Sequence, residues 1–124
     1  MRILEKNHVQ DPVVRWAKEH GIVAIRFTPY GEVGWPDHIF VFPGGVTVWV
    51  EFKAPGKLPT RLQAYRHEQL RSLDHVVYVI NNKELGIRIL KTFLDPARVP
   101  EKSNGNAFVD PGGRTIPRSG AGKD

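Results

Sequence analysis

The segment Gly34-Trp35-Pro36-Asp37-His38-Ile39-Phe40-Val41-Phe42-Pro43-Gly44-Gly45-Val46-Thr47-Val48-Trp49-Val50-Glu51-Phe52-Lys53 sets the architecture of this chain. It holds two apolar, β-rich runs, Asp37–Phe42 and Val46–Phe52, around Pro43-Gly44-Gly45. That triplet suits a type I turn closed by a left-handed Gly45, with proline fixing φ at the first position. Under such a three-residue loop Phe42 pairs with Val46, and Asp37 falls opposite Glu51. A two-residue Gly-Gly turn would shift the register by one and set Asp37 against Phe52. Proline favours the first register. Both runs are apolar on both faces, as in a sheet covered on both sides.

The charged residues at the ends of this hairpin carry the chemistry. Strand side chains alternate, so Glu51 and Lys53 share one face. Two carboxylates facing each other in an apolar setting repel, and a divalent cation between them removes the conflict. Cleaving a phosphodiester needs charge neutralisation and a deprotonated water, which Mg²⁺ or Mn²⁺ on hard oxygen ligands supplies. Asp37 and Glu51 are the ligand candidates, the backbone carbonyl of Phe52 is a natural third donor, and Lys53 would orient water or stabilise growing negative charge.

Outward from the hairpin, Val9, Val13, Trp16, Ala17 and His20 recur at helical spacing, and Gly21 stops the run. The helix either begins at Asp11-Pro12, a good N-cap and first-turn pair, or runs from about Leu4 through Pro12. Ile22–Phe27 reads as a strand, and the glycines and prolines of 28–36 as a loop. Thr60-Arg61-Leu62-Gln63 has the form of a capping box opening a helix to about Leu73. A strand over His75–Ile80 and a short helix over Lys83–Leu90 follow. The order is αβββαβα, a mixed α/β domain over residues 1–94. Residues 95–124, rich in proline, glycine and polar side chains, read as a tail that is flexible or packs on a partner.

At this length the chain is one domain's worth. It has no cysteine, so disulfides and thiolate metal sites are excluded, which fits a reducing cytoplasm. No apolar run reaches the roughly 18 residues of a membrane span. The formal charge is +5, and residues 1–94 carry 13 Lys/Arg against 9 Asp/Glu, so the folded part is basic and favours a polyanionic partner.

Gly34-Trp35-Pro36-Asp37, the hairpin, Val50-Glu51-Phe52-Lys53-Ala54-Pro55-Gly56 and Gln63 together resemble the virus-type replication-repair nuclease (VRR-NUC) domain of the restriction-endonuclease-like, PD-(D/E)xK group. The resemblance covers roughly residues 5–90 and implies a restriction-endonuclease-like fold, with a mixed sheet flanked by helices. It also implies that Asp37 and Glu51 bind metal, that Lys53 is the catalytic lysine and that Gln63 is an active-site residue. Glu5 matches an acidic position near the start of the family's first helix, a further candidate ligand if the helix is continuous. Small, often phage-encoded members imply a homodimer that cuts branched DNA such as four-way junctions. This chain departs from the pattern at His38, where arginine often follows Pro-Asp, and at Arg26, where lysine is usual. Asp74 stands in place of a turn glycine, and Pro12 falls where a helix restarting at Asp11 would carry Glu5 away from the site.

The capping box would also explain Gln63 without catalysis, and the two roles could alternate. Trp16, Trp49 and Tyr65 are expected in the core, and His8, His20, His67 and His75 at the surface or helix ends. The candidates for DNA contact are Tyr30 and Trp35 in the loop before Asp37, with Arg26, Lys57 and Arg61. Arg66, Arg71 and Lys18 are further cations without a clean stripe. Two rivals compete with a nuclease: a non-catalytic basic nucleic-acid-binding module, which would bind DNA without metal, and an interaction subunit of a phage replication or packaging complex, docking through the tail.

Overall fold

The computed structural model describes residues 5–94 and two short strands at 107–109 and 115–117. The elements are α1 (Asn7–Glu19), β1 (Val23–Arg26), β2 (His38–Phe42), β3 (Val46–Phe52), α2 (Arg61–Ser72), β4 (Val76–Ile80), α3 (Lys83–Thr92), β5 (Ala107–Val109) and β6 (Thr115–Pro117). The first seven reproduce the expected αβββαβα order. The expectation for the tail lies outside the described residues, apart from an antiparallel β5–β6 pair that composition did not signal.

β1 to β4 form one mixed sheet in chain order, antiparallel except for the parallel β3–β4 pair. A parallel neighbour needs a crossover, and α2 supplies it. In the hairpin His38 pairs with Val50 and Phe42 with Val46, so the three-residue loop sets the register. The turn itself differs from expectation. Gly44 and Gly45 both take positive φ, 87° and 81°. A positive φ directly after proline is the signature of a type II turn rather than type I. The register is unchanged, and β2 begins at His38, with Asp37 just outside its end.

One face of the sheet is closed by α1 and α3. Phe40, Phe42, Val48, Val50, Phe52, Tyr78 and Ile80 pack there against Val9, Val13, Ala17, Ile89, Leu90 and Phe93, all buried. Gly86 lets α3 approach the sheet, since a Cβ there would lie 2.6 Å from Ile80 Cγ2. The other face is only partly closed, against the expectation of a fully covered sheet. α2 buries just His67 and Leu70 over it. Val23 and Ile25 on the edge strand stay exposed, and Ile39, Val41 and Trp49 are half-buried. Hydrophobic side chains on both faces reveal strand propensity, not what covers them.

Tyr65, placed in the core by sequence, is 58% exposed, whereas His67, assigned to the surface, is 1% exposed. The two are neighbours on a helix with a narrow buried stripe, and His67 sits four residues from Gln63 on the inward side. α1 runs unbroken through Pro12, so it does not restart at Asp11. It ends in a Schellman motif, with Gly21 at φ 76° and Ile22 N–H bonding Ala17 O at 3.0 Å. α2 ends in the same way, His75 N–H bonding Leu70 O at 3.0 Å, but with Asp74 in the left-handed position at φ 69°. The glycine that the family resemblance implies at 74 is therefore what the backbone there favours. Among the described residues, no helix is long and apolar enough to cross a membrane.

Candidate active site

The carboxylates meet where β2 begins and β3 ends. Continuing the hairpin register past His38–Val50 sets Asp37 opposite Glu51. Phe27 N–H bonds Asp37 O at 2.8 Å, which extends the β1–β2 pairing and fixes the Asp37 backbone. Its side chain is held from three directions. Phe52 N–H donates to Asp37 Oδ1 at 3.3 Å, His38 Nδ1 lies 3.0 Å from the same oxygen, and Lys6 Nζ forms an ion pair with Oδ2. An ionised carboxylate only accepts, so His38 Nδ1 carries a hydrogen. Burial alone would raise the Asp37 pKa, but the hydrogen bonds from His38 and Lys6 and their charges hold it below the ordinary carboxylate value.

Glu51 is in the opposite condition. It is 3% exposed, and its pKa rises to about 7, first through burial and then through the Asp37 charge. Lys53, Lys6 and the Asp37 backbone N–H pull it down only in part. Gln63 Nε2 donates to Glu51 Oε2 at 3.2 Å, and Lys53 Nζ lies 3.8 Å from that oxygen. The other oxygen, Oε1, is buried without a hydrogen-bond partner. A buried carboxylate oxygen with no donor, beside a second carboxylate, suits a cation.

Lys53 is half-buried on the same side as Glu51, as strand alternation requires, and its N–H bonds Ile80 O at 3.0 Å. A strand residue directs N–H and C=O to the same neighbour. Phe52 N–H reaches Asp37, so the Phe52 carbonyl also faces the Asp37 side. Two carboxylates and one carbonyl, completed by water, are an oxygen donor set for Mg²⁺ or Mn²⁺ rather than for zinc. Among the described residues no group of three or more His, Cys, Asp or Glu forms a metal cluster.

Glu5 is exposed, and its backbone N–H bonds His8 Nδ1 at 3.1 Å. From this segment it is Lys6 that contacts Asp37. Sequence reading passed over Lys6, although it lies three residues before Val9 and four before Gln10, in line with the buried stripe of α1. His67 was missed in the same way. Its Nε2 is buried without a partner, and burial, followed by the Arg71 and Lys53 charges, lowers its pKa to about 4.

The cations and aromatics divide. Arg66 is consumed internally: Nε bonds Val33 O at 3.1 Å, and Cζ lies 4.5 Å above the Trp35 ring. Trp35 Nε1 donates to Glu32 Oε1 at 3.2 Å, so Trp35 is a packing residue of its loop. Arg71 is equally committed, bonding Val77 O at 2.9 Å. Lys57, Arg61 and Tyr30 are exposed. Arg26 lines a cleft of about 510 Å³ with Arg15, Lys18, Gln10, Asp11 and His38.

A solved structure described as "VRR_NUC domain" shares the fold with a TM-score of 0.65 and 23% identity, over 69% of this chain and 94% of that one. In sequence, the chain is 33% identical over 85 residues to a protein named "Putative nuclease p44" from Acyrthosiphon pisum secondary endosymbiont phage 1, covering 68% of this chain and 91% of that protein. The chain belongs to this family of small phage-type VRR-NUC proteins. No family model matches it.

Proposed function

We propose that this protein is a Mg²⁺- or Mn²⁺-dependent endonuclease that hydrolyses phosphodiester bonds of DNA. One observation carries the reading: the buried, unpartnered Oε1 of Glu51 beside Asp37, with Lys53 on the same side. A non-catalytic DNA module or a docking subunit has no use for such a group, which costs stability unless a cation satisfies it.

Asp37, Glu51 and the Phe52 carbonyl would hold the metal, which supplies Lewis acidity toward a phosphate oxygen and lowers the pKa of bound water. The chain's own side chains do the rest. His38 and Phe52 N–H fix the Asp37 carboxylate, and Gln63 fixes that of Glu51. Lys53 stabilises the negative charge that grows on the phosphate. The basic residues of the folded part attract the DNA backbone.

Selectivity for branched DNA and a homodimeric state belong to the same proposal. The apolar half-open sheet face, with Val23 and Ile25 exposed, supports a second copy packing there. Two-fold symmetry would then present two sites for paired cuts. The site acts in the host cytoplasm in this reading.

The test is cleavage of end-labelled linear duplex, single-strand, flap and four-way-junction DNA by wild-type and Lys53→Ala protein. Each is run with Mg²⁺, Mn²⁺ or EDTA. The expected result is metal-dependent cutting, lost by about 10²- to 10³-fold in the variant. Binding without cutting under every condition would overturn it.

A further inference from the structure

The loop 28–36 is an insert mounted on the candidate metal ligand. Phe27 N–H bonds Asp37 O, so both feet of the loop stand at the site. Tyr30 lies three steps along the chain from Phe27, a reach of at most about 11 Å between Cα atoms. With the paired Phe27 and Asp37 Cα atoms about 5.5 Å apart and bases in one DNA strand rising about 3.4 Å each, the Tyr30 Cα stands within roughly five stacked nucleotides of the Asp37 Cα.

The loop is also braced. Arg66 reaches from α2 to bond Val33 O, stack over Trp35 and approach Glu32 at 3.9 Å. Trp35 bonds Glu32, and Glu32 N–H bonds Pro29 O at 3.4 Å. Gly34, at φ 89°, sits against α2 so closely that a Cβ would lie 2.7 Å from Leu62 Cγ. At the tip of this braced loop the Tyr30 ring is fully exposed, whereas Trp35 and Phe27 are spent on internal contacts. A tyrosine side chain has only two torsions to fix, so it loses less conformational freedom on stacking than a longer side chain would. Lys57 and Arg61, exposed at the approach to α2, add charge suited to a polyanion rather than to an apolar protein surface.

We propose that Tyr30 determines specificity by stacking on an unpaired or unstacked base within a few nucleotides of the scissile phosphate, so that the protein favours DNA with open base faces over continuous duplex. This rests on the nuclease reading, and its test is separable from it. Base stacking on an aromatic ring tolerates any sequence, so the selection is for structure, not for sequence.

The experiment uses the full chain in EDTA, where cleavage plays no part. Binding is measured to a duplex and to the same duplex carrying one unpaired 2-aminopurine, with wild-type, Tyr30→Ala and Tyr30→Trp proteins. Wild-type should quench the 2-aminopurine and prefer the open substrate. Tyr30→Ala should lower affinity for it about 5- to 150-fold, reduce the preference and abolish the quench, while Tyr30→Trp keeps both. An equal loss on both substrates, or an unchanged quench in Tyr30→Ala, overturns the proposal. So does a change in oligomeric state alone, which would assign the ring to a protein contact. Wild-type cleavage with an unchanged preference in Tyr30→Ala would sink the stacking role and leave the nuclease standing. Quenching by a wild-type protein that never cuts would do the reverse.

Discussion

Gln63 holds Glu51 with one end of its amide while closing its own helix with the other. Nε2 donates to Glu51 Oε2 at 3.2 Å, and Oε1 accepts the Thr60 N–H at 2.9 Å. The Gln63 N–H bonds Thr60 Oγ1 at 3.2 Å, which completes the capping box. Capping and carboxylate support are one geometry, so neither role excludes the other. The cap also fixes the amide orientation, because only the NH₂ end can serve a carboxylate.

That double role separates two substitutions. Gln63→Ala should cost about 1 kcal/mol in urea unfolding and also lower cleavage. Gln63→Glu keeps an acceptor for Thr60 N–H but sets a like charge against Glu51. It should retain most of the stability and lose about tenfold or more in cleavage rate. Equal cleavage by Gln63→Glu and wild-type would remove Gln63 from the site.

Glu51 imposes a pH dependence on the metal-free protein. Its folded pKa of about 7 exceeds the ordinary 4.5, so the folded state holds a proton that the unfolded chain releases. The stabilisation is full below about pH 4.5 and disappears as pH rises through 7. It amounts to roughly 3 kcal/mol at most. His67, lowered from 6.5 to about 4, acts with opposite sign: stability from it is gained as pH rises from 4 to 6.5. Asp37, held below its ordinary value, adds a further slope of the same sign as that of His67, and the difference between wild-type and Glu51→Gln in EDTA isolates the contribution of Glu51. Parallel pH profiles for the two proteins would show that Glu51 ionises normally.

Lys6 pairs with Asp37 Oδ2, so in the proposed reading a divalent cation would compete with it for that carboxylate. Millimolar Mn²⁺ should raise the melting temperature of wild-type protein by several degrees through binding the native state alone. Asp37→Asn and Glu51→Gln should abolish the gain. Lys6→Ala, which frees Asp37 Oδ2, should saturate at lower Mn²⁺ concentration in the same titration. A Lys6→Ala midpoint equal to or above that of wild-type would mean that the ammonium does not contest the ion's position.

Gly34→Ala tests the bracing of the loop. The substitution meets a left-handed φ and a side chain at 2.7 Å, so it should cost about 1–3 kcal/mol. Adding Leu62→Ala should recover the steric share and leave the backbone share. No recovery in the double variant would locate the whole cost in the backbone.

Most of the fold was legible because the hairpin is local. Pro43-Gly44-Gly45 and the apolar runs beside it fix a register that brings Asp37, Glu51 and Lys53 together without reference to the rest of the chain. Thr60 and Gln63 were legible for the same reason, as a cap spanning one turn. Lys6 and His67 were not, because their placement depends on how α1 and α2 dock on opposite faces of the sheet. Tyr65 failed on the same ground: an aromatic residue on a helix reads as core until the buried stripe proves to be two residues wide. Trp35 and Tyr30 look equivalent in sequence, and Arg66, from a distant helix, together with Glu32 distinguishes them.

The turn at Pro43 also bears on the order in which the protein assembles. A hairpin closes within roughly 1–10 μs, well before slower parallel pairing such as that of β3 with β4 across a helical crossover. Asp37, Glu51 and Lys53 would thus be set together before Lys6 or Gln63 has anything to contact. A chain that slipped by one residue at this step would have Asp37 against Phe52 and Pro43 forced into a strand. The proline makes that early error costly while the chain is still free to correct it.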